Sequence, residues 1–162
     1  MTHVRAATDA DFPQIWAIFA EVIAAGDTYP HDETFTAEEA RRMWLGPAFR
    51  TFVAVDDRAE VVGVSKLGPN FPGRGAHVAN AAYIVAAHRR GTGIGRLLVE
   101  HSLAAARATG YRAIQFNFVV STNRAAVQLY ERLGFTILAT LPGAFNHRAL
   151  GYVDAYVMHR ML

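Results

Sequence analysis

The chain has 162 residues, 52% of them apolar and 19% charged, with a formal net charge of +2. These values are typical of a single soluble domain covering residues 1–162, placed by default in the cytoplasm, and no apolar run reaches the roughly 20 residues of a membrane span. The absence of cysteine excludes disulfides, thiolate nucleophiles and cysteine-bound metals.

The first half of the chain carries the signals of short strands and two capped helices. Apolar and β-branched runs indicate strands, and Thr8 and Thr36 each precede an acidic residue at capping-box spacing. Pro13 falls in the first turn of the first helix, where proline is tolerated. The predicted elements are a strand at Val4–Ala6, helices ending near Ala25 and Leu45, a hairpin of RTFVAVD and EVVGVSKL, and the strand HVANAAYIV ending near Val85.

The second half alternates helices with strands. A long helix is predicted from about Ile94 to Thr109, stopped by Gly110, and Gly134 closes a shorter helix. The predicted strands are YRAIQFNFVV, FTILAT and YVDAYVMH, the last two flanking a loop, LPGAFNHRAL. The resulting order, β-α-α-β-β-β-α-β-α-β-β, predicts an α/β domain in which helices cover a mixed sheet.

The segment HRRGTGIGRLLVE places three glycines where the long helix must start, although glycine is a poor helix former. A helix N-terminus carries unpaired N–H groups and partial positive charge, and glycine lets ligand oxygens approach the backbone. The turn therefore indicates a pyrophosphate cradle, with Arg90 and Arg96 adding charge. A P-loop would need a Gly-Lys-Ser/Thr ending, which is absent. A plain strand–turn–helix connection is the alternative.

Two ordered motifs resemble the signatures of the GNAT family of N-acetyltransferases. RGTGIG, at residues 90–95, matches the Arg/Gln-x-x-Gly-x-Gly/Ala element, and NRAAVQLYERLGF, at residues 123–135, resembles the Asn-x-x-Ala-x-x-Leu-Tyr-x-x-x-Gly-Phe element. Two motifs in this order are far more specific than one. The resemblance spans most of the chain and implies the GNAT fold, in which two central strands, here Ala79–Val85 and Ala113–Val119, splay apart.

The resemblance also implies acetyl-CoA as the donor and an amine as the acceptor, and it is compatible with a homodimer, which is common in this family. By position in the motifs, the strand end and the glycine turn would hold the pantetheine arm and the pyrophosphate, and the second motif would supply one hydrogen bond and a tyrosine near the sulfur. Asn123 and Tyr130 are seven residues apart, so both project to nearly the same side of a helix. The implied cofactor-binding residues are Val85, Arg90, Gly91, Thr92, Gly93, Ile94, Gly95, Arg96, Asn123 and Tyr130.

A narrower likeness concerns the acceptor. Segments including TYPHDETFT and PGRGAHVANAAYIV resemble a GNAT subgroup that acetylates the proline analogue azetidine-2-carboxylate, in which the asparagines matching Asn80 and Asn117 recognise the substrate. Asparagine is depleted in strands, and an unpartnered buried amide costs about 1–3 kcal/mol. One asparagine on each central strand therefore indicates a polar pocket, with capping of a bulge as the alternative. Tyr29 and Phe145, in loops expected to close over the acceptor, complete the substrate-binding set.

Tyr130, Asn80 and Asn117 are the candidate catalytic residues. A phenol has a pKa near 10 and a thiol near 8.5. Tyr130 is therefore expected to donate a hydrogen bond to the leaving sulfur rather than a whole proton, and a purely structural place in the core is the alternative. A strand N–H near Val85 or Ala86 is expected to polarise the thioester carbonyl.

The group that takes the proton from the amine is not evident in the sequence. HVANAAYIV carries no carboxylate, so a water held by the two asparagines is the expected route, and His77 is the alternative. The seven histidines lack metal-ligand spacing with carboxylates, so no metal is expected. The scattered arginines argue against a nucleic-acid partner.

Together these features predict an acetyl-CoA-dependent N-acetyltransferase acting on a small amino acid or a proline-like imino acid. Peptide or protein amines and aminoglycosides are a second possibility, disfavoured because few acidic residues lie near the predicted pocket to attract large cationic acceptors. A CoA-binding module without activity is a third possibility, against which the presence of Tyr130 argues.

Overall fold

Seven strands and four α-helices make up the chain, and the computed structural model describes residues 1–162. Their order along the chain confirms the predicted order of elements. The strands are β1 (His3–Ala6), β2 (Arg50–Val55), β3 (Val61–Pro69), β4 (Val78–Val85), β5 (Ala113–Val120), β6 (Thr136–His147) and β7 (Gly151–Met161). The helices are α1 (Phe12–Ala25), α2 (Ala37–Leu45), α3 (Ile94–Thr109) and α4 (Arg124–Arg132).

The strands form one sheet in the order β1-β2-β3-β4-β5-β7-β6, and every neighbouring pair is antiparallel except β4 and β5. The helices α1 and α2 cover one face, where Phe19 and Trp44 are fully buried against β2 and β3. The helix α3 covers the other face through Leu98 and Leu103. No helix is long and apolar enough to cross a membrane.

The central pair of strands separates almost as soon as it forms. β4 and β5 pair only where Val78 lies beside Ala113 and Ala79 lies beside Ile114. Beyond these two positions no bridge joins them, although both strands continue for several residues. The predicted splay is therefore present, and it opens the sheet between β4 and β5.

The loop predicted at LPGAFNHRAL is wrong. β6 continues through His147, and only residues 148–150 form the turn into β7. Register shifts between Leu141 and Phe145 absorb the proline and glycine of this segment, as a β-bulge does. Pairing with β7 thus overrides the local turn signals. Phe145 is consequently a buried strand residue rather than part of a loop.

Candidate functional site

The glycine turn leaves a row of main-chain N–H groups without partners. Gly91 and Gly93 have φ angles of +75° and +89°, which side chains with a β-carbon rarely adopt. Gly93 is the N-cap of α3, no side chain caps this end, and the first helical bond runs from the Leu97 N–H to the Gly93 carbonyl. The N–H groups of residues 94–96 are therefore free. A β-carbon at either glycine would meet nothing within 4 Å, so the cradle is open to a ligand's phosphate oxygens.

The arginines at this turn differ in what they can offer an anion. Arg90 is exposed and makes no ion pair. The Nε atom of Arg96 lies 2.8 Å from a carboxylate oxygen of Glu100, one turn later on α3. Arg90 is therefore the freer of the two predicted cationic contacts.

The main chain of β4 points alternately at its two neighbours. The Ala86 N–H donates to the Val62 carbonyl on the β3 side at 3.0 Å. In an antiparallel ladder alternate residues bond the same neighbour, so the main-chain groups of Tyr83 and Val85 point toward the diverging β5. The Ala86 N–H is already engaged, which leaves Val85 as the predicted donor able to polarise a carbonyl in the opening.

The second motif supplies the N-cap of α4, Asn123, and a tyrosine, Tyr130, that packs against both strands of the opening. The Asn123 side chain caps the helix, its oxygen accepting from the Ala126 N–H at 3.4 Å, and its NH2 group has no protein acceptor. The Tyr130 ring centroid lies 4.5 Å from that of Phe116 and 6.1 Å from that of Tyr83. Burial raises the pKa of the Tyr130 hydroxyl, so this group stays protonated and can donate a hydrogen bond.

Two predicted site residues, Tyr29 and Tyr130, pack on opposite faces of the sheet. Tyr29, in the loop between α1 and α2, packs edge-on against Phe19 at a centroid distance of 5.1 Å. Burial raises the pKa of Tyr29, and the nearby Tyr130 adds to the increase, although Tyr130 packs on the α3 side. The predicted set of site residues therefore draws on both faces of the sheet.

Polar side chains line the α1–α2 side of the opening. Asn80 follows the last residue of β4 that pairs with β5. Its side chain reaches across to β5 and donates to the Gln115 carbonyl at 3.1 Å. The Asn117 side chain accepts from the Gln115 side chain at 3.0 Å and donates to the Asn70 side chain at 2.7 Å. The two predicted asparagines thus lie on one face but are not bonded to each other. Gln115 and Asn70 were missed by the sequence reasoning, and the Gln-x-Asn spacing on β5 is the signal that indicates the first of them.

Three further residues, of which the first two are candidates from the sequence, lie less directly at the opening. His77 precedes β4 at the end where β4 and β5 remain paired, so it lies at the closed end of the two strands and not at the opening. Phe145 is 5% exposed and packs against Phe118, which follows Asn117 on β5. His147 accepts from the two N–H groups of the turn between β6 and β7, at 3.0 and 3.2 Å, and so caps that turn.

The sequence reasoning also missed Lys66, a buried residue of β3 on the α1–α2 side. Its amine lies over the rings of Trp44 and Phe49, at 5.5 and 4.5 Å from their centroids. Gly68 permits this arrangement because a β-carbon there would meet Phe49 at 2.7 Å. A single lysine inside the apolar run EVVGVSKL is the sequence signal that points to it.

Comparison with known proteins connects this site to one family. The model of the Acetyltransferase (GNAT) family matches residues 13–135. A GCN5-related N-acetyltransferase from Kribbella flavida, whose structure is solved, is 49% identical, with a TM-score of 0.95 over 99% of this chain and 98% of that one. N-acetyltransferase aca1 of Schizosaccharomyces pombe is 32% identical over 152 residues, covering 83% of this chain and 72% of that protein. The L-methionine sulfoximine/L-methionine sulfone acetyltransferase of Pseudomonas aeruginosa is 31% identical over 145 residues, covering 86% and 83%.

Proposed function

The chain belongs to the GNAT family of acetyltransferases, and from this premise we propose that it moves the acetyl group of acetyl-CoA to the amine of a small amino acid or proline-like imino acid. The observation that carries the proposal is the opening between β4 and β5, with unpaired N–H groups at one end and a row of amide side chains on one face. A relative named for acetylating methionine sulfoximine and methionine sulfone supports an amino-acid acceptor.

The residues present fit acetyl-CoA as the donor. The free N–H groups around Gly91 and Gly93 can bind pyrophosphate oxygens, and Arg90 can add a charged contact. The outward main-chain groups of Tyr83 and Val85 can bind the amides of the pantetheine arm. When bound, acetyl-CoA supplies an acetyl group activated as a thioester.

Four residues divide the chemistry at the opening. Val85 donates its N–H to the acetyl carbonyl oxygen, where negative charge develops. Tyr130 donates a hydrogen bond from its hydroxyl to the sulfur, which leaves as a thiolate when the C–S bond breaks. Asn80 and Asn117 hold the acceptor and a water, and this water takes the proton that the amine loses as its N–C bond forms. Binding both reactants in alignment supplies much of the rate enhancement, because the entropy lost in bringing them together is already lost on binding.

The acceptor side favours a compact, anionic molecule over a large cation. Its polar groups are amides and one lysine, with no carboxylate among them. Aminoglycosides and peptides with several cations would find no partner for their charges here. The homodimer implied by the resemblance stays a prediction.

The test is release of CoA from acetyl-CoA with a panel of amines and a blank without acceptor. The panel consists of L-azetidine-2-carboxylate, L-proline, L-methionine sulfoximine, kanamycin and a short peptide. The variant Tyr130→Phe, expected to have a low kcat, is assayed in parallel. We expect release well above the blank with one of the first three compounds. Release with kanamycin or the peptide alone, or with no compound at all, would contradict the proposal.

A further inference from the structure

Lys66 is the only lysine of the chain, and the other fifteen of its sixteen basic residues are arginines. It lies in β3 and is 8% exposed, whereas lysine is almost never this buried without a partner. The amine is 3.5 Å from the Met43 carbonyl and makes no ion pair with any carboxylate. The rings of Trp44 and Phe49 attract the ammonium group but do not neutralise it.

Other polar atoms around Lys66 also lack partners. Nδ1 of His31 and Nε1 of Trp44 are buried without a hydrogen bond. The His31 ring packs edge-on against Phe19, which in turn packs edge-on against Trp44. Burial, and after it the charge of Lys66, lower the pKa of His31. Burial also lowers the pKa of Lys66 to about 8, so the amine still carries charge at neutral pH. The Lys66 amine and the Trp44 indole are thus two donors without a carboxylate partner, and the Met43 carbonyl is the one hydrogen-bond acceptor of the amine.

The strand register places Lys66 beside the opening. Lys66 lies opposite Ala82, and Gly68 lies opposite Asn80, so Lys66 and Asn80 point to the same face of the sheet. Residues at such diagonal positions are about 7–8 Å apart, which a lysine side chain can reach across. Asn80 marks the point where the strands part, because Ala79 is the last residue of β4 that pairs with β5.

We propose that Lys66 anchors the carboxylate of the acceptor, so that the acceptor's amine is held at the opening beside Asn80. The inference rests on the proposed function and adds to it the residue that recognises the carboxylate of the amino-acid or imino-acid acceptor. A carboxylate there pairs the buried cation and accepts from the unpartnered donors around it. It also explains why a buried, unpaired lysine sits on the face that carries the amide side chains.

The test uses the fact that one lysine gives one side-chain resonance. Protein labelled with [13Cε]lysine is titrated with L-azetidine-2-carboxylate and, in parallel, with L-azetidine-2-carboxamide, both in the presence of CoA. The two probes share the ring and the amine and differ in the negative charge. We expect the carboxylate to shift the resonance saturably and the carboxamide to leave it unchanged. A resonance that neither probe shifts, or that both shift equally, would overturn the inference, whether or not the protein turns over.

Kinetics of Lys66→Met provide the second readout. We expect the KM of the carboxylate acceptor to rise about 10- to 100-fold, and the KM values of the carboxamide and of acetyl-CoA to change less than about twofold. Lys66→Arg keeps the charge and should restore part of the preference. Arg50→Met is the matched control, because the Arg50 guanidinium lies 5.4 Å from the centroid of the Phe52 ring but is exposed.

The outcomes separate the two proposals. If wild-type protein acetylates both probes equally well, or if Lys66→Met impairs both equally, the inference is wrong and the proposed function stands. If the resonance responds to the carboxylate but no amine is acetylated, the anchor is real and the proposed function is wrong. Thermal unfolding of Lys66→Met and Lys66→Arg shows that each variant is folded, so a loss of binding is not a loss of structure.

Discussion

The two sides of the sheet opening use different parts of the polypeptide. The proposed cofactor side consists mainly of main chain: free N–H groups of the glycine turn, and the outward groups of β4. The proposed acceptor side consists of side chains from separate strands, with Lys66 on β3, Asn80 on β4 and Asn117 on β5. A backbone site leaves a local glycine signature, whereas a side-chain site assembled by strand register leaves single polar residues whose neighbours the sequence does not reveal. The donor can therefore be common to a family while the acceptor is particular to one chain.

Substitution of Tyr130, which lies between the two sides, is expected to have the largest effect on activity. We expect Tyr130→Phe to lower kcat about 100-fold, because the departing sulfur loses its hydrogen-bond donor. The affinity for acetyl-CoA should change less than about twofold, since the ring remains packed against Phe116. Stopped-flow release of CoA and calorimetric titration measure the two quantities. Tyr111→Phe is the control, and equal losses in both variants would remove Tyr130 from the reaction.

Lys66→Met should separate stability from binding. The pKa of Lys66 falls from its ordinary 10.5 to about 8, so protonation of this amine is less favourable in the folded protein than in the unfolded chain. Because each pKa unit corresponds to about 1.4 kcal/mol and the ring contacts offset part of the cost, the variant should gain about 1–3 kcal/mol in unfolding free energy at pH 7. A depressed lysine pKa means that the unfolded chain binds the extra proton, so wild-type stability rises from about pH 8 to 10.5 and the gain shrinks there.

Urea unfolding of wild type and Lys66→Met across pH 7 to 10.5 measures this gain. A variant that is less stable than wild type at pH 7 would show that Lys66 holds the fold together and is not a binding group that costs stability.

The glycine turn can be tested with two glycines that share one backbone conformation. Gly93 and Gly110 have φ angles of +89° and +90°, and neither would place a β-carbon within 4 Å of another atom. Alanine should therefore strain both ends of α3 alike, by about 1–2 kcal/mol. We expect Gly93→Ala alone to weaken acetyl-CoA binding, by about tenfold, because it crowds the free N–H groups. Calorimetry measures the affinity, and equal binding by the two variants would contradict a main-chain cradle.

The smallest effect is expected at the arginines of the turn. Arg90→Gln should weaken acetyl-CoA about threefold at low salt, because Arg90 is exposed and unpaired. Arg96→Gln should change the affinity less than about twofold, since Glu100 already holds its guanidinium group. The comparison is made at 50 and 200 mM salt, where the difference should shrink. A larger loss for Arg96→Gln would mean that this ion pair breaks when the ligand binds.

Most of the fold can be predicted from the sequence because its signals are local. Thr36 caps α2, and Gly110 ends α3 with a positive φ angle, as their sequence positions indicate. The prediction is wrong at residues 141–147, where pairing with β7 draws a proline and a glycine into β6. Local propensity cannot reveal that a partner strand is long enough to continue through a bulge.

The candidate site likewise has a part that local sequence signals predict and a part that depends on strand pairing. Glycine spacing indicates the cradle, and the depletion of asparagine in strands singles out Asn80 and Asn117. Gln115, Asn70 and Lys66 could not be placed, because only the pairing of β3, β4 and β5 brings them to one face. The sequence also could not decide whether the N–H of Val85 or that of Ala86 polarises the carbonyl. The structure distinguishes them because the Ala86 N–H already bonds to β3.

The most direct test of the division between a main-chain cofactor side and a side-chain acceptor side is the pair of KM values of Asn80→Ala, measured with acetyl-CoA and with the best acceptor of the panel. The account predicts that the acceptor KM rises about five- to tenfold, because an amide contact at the opening is lost, while the acetyl-CoA KM stays within about twofold of wild type. An unchanged acceptor KM and kcat, or an increase confined to acetyl-CoA, would contradict it.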